Sequence, residues 1–289
     1  MARRIVLLVV VLGALAVGVF HFFGPKERPL AALLPKDVYV VELVRLDELE
    51  QPGTVGSFDV DPEGRPVLLV GGSVFVRFDP DGKRKPQTIP LRGTPYVSDF
   101  SWMDDGSLLV VAQQELSEVT GGGLRPIQSL PRHSMRVRPA SAAQCYLYGA
   151  DSPGEGRDLY IYRKGGELLQ VLEAEGPIGA VAGDGSSTFV AIDRSVYLLL
   201  PEEPLTLVCR AAQPIRSLAL GSGSVLFYAT DSSVGMSAGP GNGVEFVKGR
   251  GGELRVHGEA LYLFTPSQGL MKFFPVSRLV RMAREVEDG

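Results

Sequence analysis

Asp59, Asp99, Arg136, Arg138, Arg255 and His257 are the residues through which this sequence could do chemistry. Each adjoins an apolar residue inside a short β-patterned run: Phe58, Phe100, Val137 or Val256. Successive side chains of a strand face opposite ways, so these flanking residues point away from the packed side. The full flanking set is Ser57 and Asp59, Asp99 and Ser101, Arg136 and Arg138, Ala180 and Ala182, Ser217 and Ala219, Arg255 and His257. Guanidinium groups offer paired donors to carboxylate or phosphate. Two readings follow. Arg136, Arg138 and Arg255 form an anion-accepting funnel, or arginines and acids balance one another in a solvated channel, which needs no ligand.

Other chemistries fare worse. Gly235-Met236-Ser237-Ala238-Gly239 matches the Gly-x-Ser-x-Gly pattern of serine hydrolases. That pattern needs a following helix to hold the serine out on a sharp turn. Pro240-Gly241-Asn242-Gly243 follows instead, so Ser237 reads as a loop or strand serine. His133 and His257 have no second histidine at ligand spacing, so no metal site is expected. Cys145 and Cys209 fall in a second and a fourth strand one unit apart, which predicts free, buried thiols.

The elements that carry these residues repeat. From Val38 onward, short apolar runs alternate with Gly, Pro, Asp and Ser clusters, the pattern of an all-β protein. Apolar anchors recur at Phe58, Phe100, Val137, Val181, Leu218 and Val256, at nearly even intervals. In the first unit Ser57 to Val60 is an inner strand and Asp61-Pro62-Glu63-Gly64 a turn. Pro66 to Val70, Ser73 to Phe78 and Gln87 to Leu91 complete four strands. Asp-Gly turns recur before later second strands, as in Asp105-Gly106-Ser107-Leu108-Leu109-Val110. The acids of these turns are explained by turn chemistry. Four strands at a period of roughly 40 residues describe a β-propeller blade. Six units predict six blades, with five and seven left open by drift in the repeat. The last unit has three clear strands, so the spare run Val38 to Leu43 is expected to pair with it as an outer strand and clasp the ring.

Unit length, strand count and the Asp-Gly turn make Val38 to Pro275 resemble the six-bladed propeller superfamily of NHL-type and TolB-like repeats. The Trp-Asp pair of WD-repeat blades is absent, since Met103 follows the single tryptophan, Trp102. The resemblance also brings in gluconolactonase-like enzymes, whose metal is held by Glu, Asn and Asp on inner loops. Asn242 is the one asparagine, so that ligand pattern does not map and none of its residues is carried over. One tryptophan is also too few for a quinone-cofactor propeller, and no cofactor is expected.

Ile5 to Phe23 carries no fixed charge and follows Arg3 and Arg4. At about 1.5 Å per residue it spans roughly 28 Å, enough for one transmembrane helix. Ala14-Leu15-Ala16 leaves a cleaved signal peptide as the rival. The leading arginines place the bulk of the chain outside the cytoplasm, periplasmic or extracellular. Ser277 to Glu287 has an apolar face of Leu279, Val280, Ala283 and Val286, expected as a short amphipathic helix on the rim or docking a partner.

The sequence therefore divides into a membrane anchor (1–24), a linker (25–37), a propeller (38–275) and a C-terminal helix (276–289). It has 289 residues, net charge −4 and 45% apolar content, which excludes wholesale disorder and disfavours nucleic acid as a partner. The expected role is a membrane-anchored scaffold or accessory subunit with protein partners in a membrane complex, not an enzyme. The alternative is a ligand-binding sensor or metal-dependent hydrolase or lactonase at the channel mouth.

Overall fold

The computed structural model describes residues 34–44, 55–91, 94–121, 123–149, 156–266 and 268–287. The chain divides into two units, Met1–Leu33 and Leu34–Gly289. The expected transmembrane helix lies outside the described residues. Among the described residues no helix is long and apolar enough to cross a membrane.

The second unit is an all-β ring of six sheets, followed by one helix. Blade I is β2 (Val55–Val60), β3 (Pro66–Val70), β4 (Val74–Arg77) and β5 (Gln87–Pro90). Blade II is β6 (Val97–Trp102), β7 (Leu108–Ala112), β8 (Glu115–Thr120) and β9 (Gly123–Ser129). Blade III is β10 (Arg136–Ser141), β11 (Gln144–Tyr148), β12 (Asp158–Arg163) and β13 (Leu168–Glu173). Blade IV is β14 (Ile178–Gly183), β15 (Thr188–Ile192), β16 (Ser195–Leu199) and β17 (Thr206–Arg210). Blade V is β18 (Ser217–Leu220), β19 (Leu226–Ala229), β20 (Ser233–Ser237) and β22 (Val244–Lys248). The short β21 (Gly241–Asn242) crosses from blade V to pair with β17 of blade IV.

Blade VI is β23 (Glu253–His257), β24 (Ala260–Thr265), β25 (Gly269–Phe274) and, from the other end of the chain, β1 (Tyr39–Val44). The clasp expected from Val38 to Leu43 is thus present, with Tyr39 opposite Phe274 and Val40 opposite Phe273. Each blade meanders through an even number of strands. All inner strands therefore start at one end of the ring, here the upper end, and finish at the lower end.

The six anchors all lie on inner strands, and five are buried, Val256 being partly so. The core sits between blades because each middle strand buries both faces. Leu68 packs toward blade VI with Phe58, Tyr262 and Phe264. Its neighbours Val67 and Leu69 pack toward blade II with Phe100 and Val110. Aromatic rings carry the contact onward, Phe75 against Phe100 at 4.8 Å and Phe246 against Phe273 at 6.2 Å. Each such side chain contributes about 1.5–3 kcal/mol by leaving water.

The turn acids act as the sequence implied. Asp61 accepts the backbone N–H of Glu63 (3.1 Å) and of Arg65 (2.8 Å), and Asp184 accepts those of Ser186 and Ser187, both at 2.9 Å. Helix α1 (Val276–Glu287) folds back on the ring through buried Leu279, Val280 and Ala283. Arg278 pairs with Asp37 at 2.9 Å, and Ser277 N–H donates to Glu259 at 3.1 Å. This is the rim-packed arrangement of the two that the sequence allowed.

Cys145 and Cys209 are unpaired and buried, in the second and fourth strands of adjacent blades. Burial pushes the Cys145 thiol up to about 12 and the Cys209 thiol up to about 11. Neither supplies thiolate near neutrality. A thiol-specific disulfide reagent at pH 8 is therefore expected to leave the native protein unmodified. In denaturant it should titrate two thiols per chain, the same number with or without prior reduction. One or no thiol before reduction would show a disulfide instead.

Candidate functional site

The inner strands bring five of the six predicted site residues together. Asp59, at the lower half of β2, accepts Ser101 Oγ–H at 2.6 Å and the Trp102 N–H at 2.9 Å, both from blade II. One place further around, Asp99 accepts the Val137 N–H of blade III at 2.8 Å and the hydroxyl of Ser57. Ser217 Oγ accepts the Leu254 N–H of blade VI at 2.9 Å. At three junctions, then, a side chain of one inner strand satisfies a backbone amide of the next.

The arginines add charged contacts to these junctions and across the axis. Arg138 donates to Asp99 at 2.7 Å and to the Val137 carbonyl at 2.6 Å. Arg255 closes the circle from blade VI to blade I, donating through Nε to Asp59 at 2.9 Å and through NH2 to the Phe58 carbonyl at 2.8 Å. Arg136 donates to Glu253 Oε1 at 3.4 Å. Glu253 Oε2 stands 3.7 Å from both Arg138 and Arg255 and accepts no hydrogen bond there. Three carboxylates thus face three guanidinium groups.

Burial alone would raise the Asp99 carboxyl. Arg138 and Arg136, with the Ser57 hydroxyl and the Val137 amide, hold it below the ordinary carboxylate range. Glu253 raises the Arg136 guanidinium above its usual value. Arg138 is raised too, because the negative charges of Asp99 and Glu253 outweigh its burial.

The axis is packed rather than solvated. Ten of the twelve flanking residues are buried, and Arg136 and His257 are half-exposed. Ala180, Ala182 and Ala219 make the wall of blades IV and V small and dry. His257 does not join the ion-pair group. It lies at the lower end over the Gly64 turn, where Gly64 at φ +78 leaves 3.1 Å between the site of a Cβ and the imidazole. Arg136 occupies the upper end with its side chain 42% exposed.

Glu253 is the member that the flanking set omits. It lies two places before Arg255, and strand alternation alone puts it on the same face. Ser237 ends β20 and donates to the Gly239 carbonyl at 2.7 Å, with no helix after it, so the hydrolase elbow is not formed. Among the described residues no group of three His, Cys, Asp or Glu side chains could hold a metal ion.

No protein-family model and no curated protein matches the chain. Solved structures do. Virginiamycin B lyase from Staphylococcus aureus superposes at TM-score 0.60 with 12% identity, over 82% of this chain and 99% of that one. A gluconolactonase from Xanthomonas campestris superposes at 0.61 with 12% identity, over 86% and 93%. A streptogramin B lyase superposes at 0.57 with 8% identity, over 82% and 97%. The chain is a six-bladed β-propeller of the type that these proteins share, and at this identity the likeness is one of fold.

Truncating Arg255 to Ala leaves Asp59 buried without its counter-charge and is expected to destabilise the ring by about 3–5 kcal/mol. Asp59→Asn on top of it should recover part of that loss, and full additivity in denaturant unfolding would show the pair uncoupled. The Asp99 carboxyl lies below its unfolded value of 3.8, so its stabilisation is whole above that pH and is lost as pH falls through the folded value. Asp99→Asn is therefore expected to be less stable at pH 7 and to show a shallower acid limb. An acid limb as steep as that of the unmodified protein would refute this.

Proposed function

We propose that the protein is a membrane-tethered, extracytoplasmic interaction platform that works by recognition, as an accessory subunit of a membrane complex. The supporting observation is the filled axis: the charges that could have handled a substrate face one another and the inner-strand backbone, leaving the outer surface for partners. Blade III offers one such place. Edge strands are ordinarily blunted against new pairing by proline, charge or cover. β5 ends in Pro90, β9 contains Pro126, and β17 is covered by β21. β13 has neither proline nor a basic residue and exposes Leu169 and Val171, with a bulge at Val171 where its pairing with β12 shifts register. An extended partner segment could add to such an edge by main-chain hydrogen bonding.

The test is purification of the full-length chain in mild detergent. Recovery of a stoichiometric partner that Leu169→Ser/Val171→Ser releases, while Arg136→Ala retains it, is the expected result. Recovery of the chain alone, from membranes or from the soluble fraction, would count against the platform.

One observation favours a second reading, a ligand-binding sensor or hydrolase at the upper mouth. Arg136 is half-exposed there with a 3.4 Å contact to Glu253, and the same fold serves proteins named as lyases and a gluconolactonase. On this reading purified protein turns over lactones or binds a small acid, and Arg136→Ala weakens either by about tenfold or more. Unchanged binding or turnover in that variant would remove the mouth as the site.

A further inference from the structure

A cleft of about 520 Å³ opens between blades II and III, away from the axial charges. The β6–β7, β10–β11 and β12–β13 turns supply its walls, which places it at the lower end of the ring, opposite the Arg136 mouth. Its floor is apolar: Met103, Leu109, Ile127 and Tyr162, all within or packed against one inter-blade core cluster. A thioether beside a phenol ring suits a flat aromatic body, which both can contact face or edge. Gly165, at φ +73, has nothing within 4 Å of where a Cβ would stand, so this wall is bare backbone.

The rim is charged. Arg125 pairs with Glu118 through NH2 alone, and its side chain is 66% exposed. Lys164 donates to Asp105 at 2.5 Å from a half-exposed ammonium. A guanidinium has five N–H donors and an ammonium three, so both cations retain donors beyond the contacts they make here. The hydrogen bond to Asp105 also raises the Lys164 ammonium, which stays charged across the neutral range.

We propose that this inter-blade cleft binds a small molecule with a flat aromatic body and one carboxylate. The ring lies on Met103 and Tyr162, and the carboxylate meets Arg125 and Lys164. The volume is that of a single small-ligand site, a few hundred Å³, which favours a free molecule over a peptide chain. The cleft exists only where two blades meet, so the site belongs to the closed ring. It does not depend on the platform reading.

The probe is 2-naphthoate, with 2-naphthamide as its uncharged counterpart, in equilibrium dialysis against full-length protein in mild detergent. Ala143 lines the cleft from an exposed turn, so Ala143→Trp fills the opening without removing a core contact and corrects for uptake by the micelle. Saturable binding of one 2-naphthoate per chain is expected, weakened about tenfold or more by Ala143→Trp and by Arg125→Gln/Lys164→Gln. The double variant should also abolish the preference for naphthoate over naphthamide. Three results would overturn the proposal: no saturable uptake above the Ala143→Trp level at millimolar probe, equal binding of acid and amide by the unmodified chain, or retention of an aromatic group only when a peptide carries it. A partner lost through the blade III substitutions leaves this measurement unaffected, so the two readings fail separately.

Discussion

A carboxylate that accepts a neighbouring strand's amide and a guanidinium at once is what the ring depends on at its axis. Inner strands lie side by side there without a shared sheet, so their backbone amides have no ladder partner across the junction. Asp59, Asp99 and Ser217 supply that partner. The cost is two buried carboxylates, which would be prohibitive without counter-charge. Arg138 and Arg255 lower it, and both also donate to backbone carbonyls, so one side chain answers two strands. The arrangement is asymmetric. Charge concentrates on blades VI, I, II and III, while the alanines of blades IV and V let their strands approach closely.

Much of this was legible before any coordinates. The regular spacing of the anchors identified the unit, and the six anchors fell on the six inner strands. A spare strand at one end of the chain and a three-stranded unit at the other required one another, because an open edge leaves amides unpaired. The face of each inner strand followed from alternation, which is why Asp59, Asp99, Arg138 and Arg255 could be placed on a common axis. What spacing could not show was depth. A residue pointing at the axis is solvated or buried according to how closely six strands approach, and that distance depends on every blade together. Hence a channel expected to hold water is packed, and His257 stands apart because its strand ends beyond the ion pairs. Glu253 was within reach of the same alternation, but it lies three places from its anchor and opens its strand. β21 was not legible, since so short a pairing across blades has no pattern of its own.

The same packing separates the ring's surfaces by what they can do. Side chains at the axis are fixed by contacts on several sides and resist rearrangement. Most outer strands have one neighbour and a free edge, and apart from the clasp β1 their exposed residues are less constrained by packing. A fold built this way keeps its centre for cohesion and leaves variation to rims, turns and inter-blade clefts. That is consistent with a common six-bladed framework at 12% identity to the Staphylococcus aureus lyase.

Closing the circle with the first strand has a consequence for synthesis. Tyr39 must wait for Phe274, which is made only after most of the chain. At ribosomal rates of about 5–20 residues per second, β1 is left without its partner for a time on the order of tens of seconds. Blades I to V can assemble in order over this interval, but the first and last of them keep a naked flank until blade VI is translated. The nascent chain is thus most open to mispairing with other copies just before blade VI is complete, and helix α1, which follows that blade, settles onto a circle that has only then become whole.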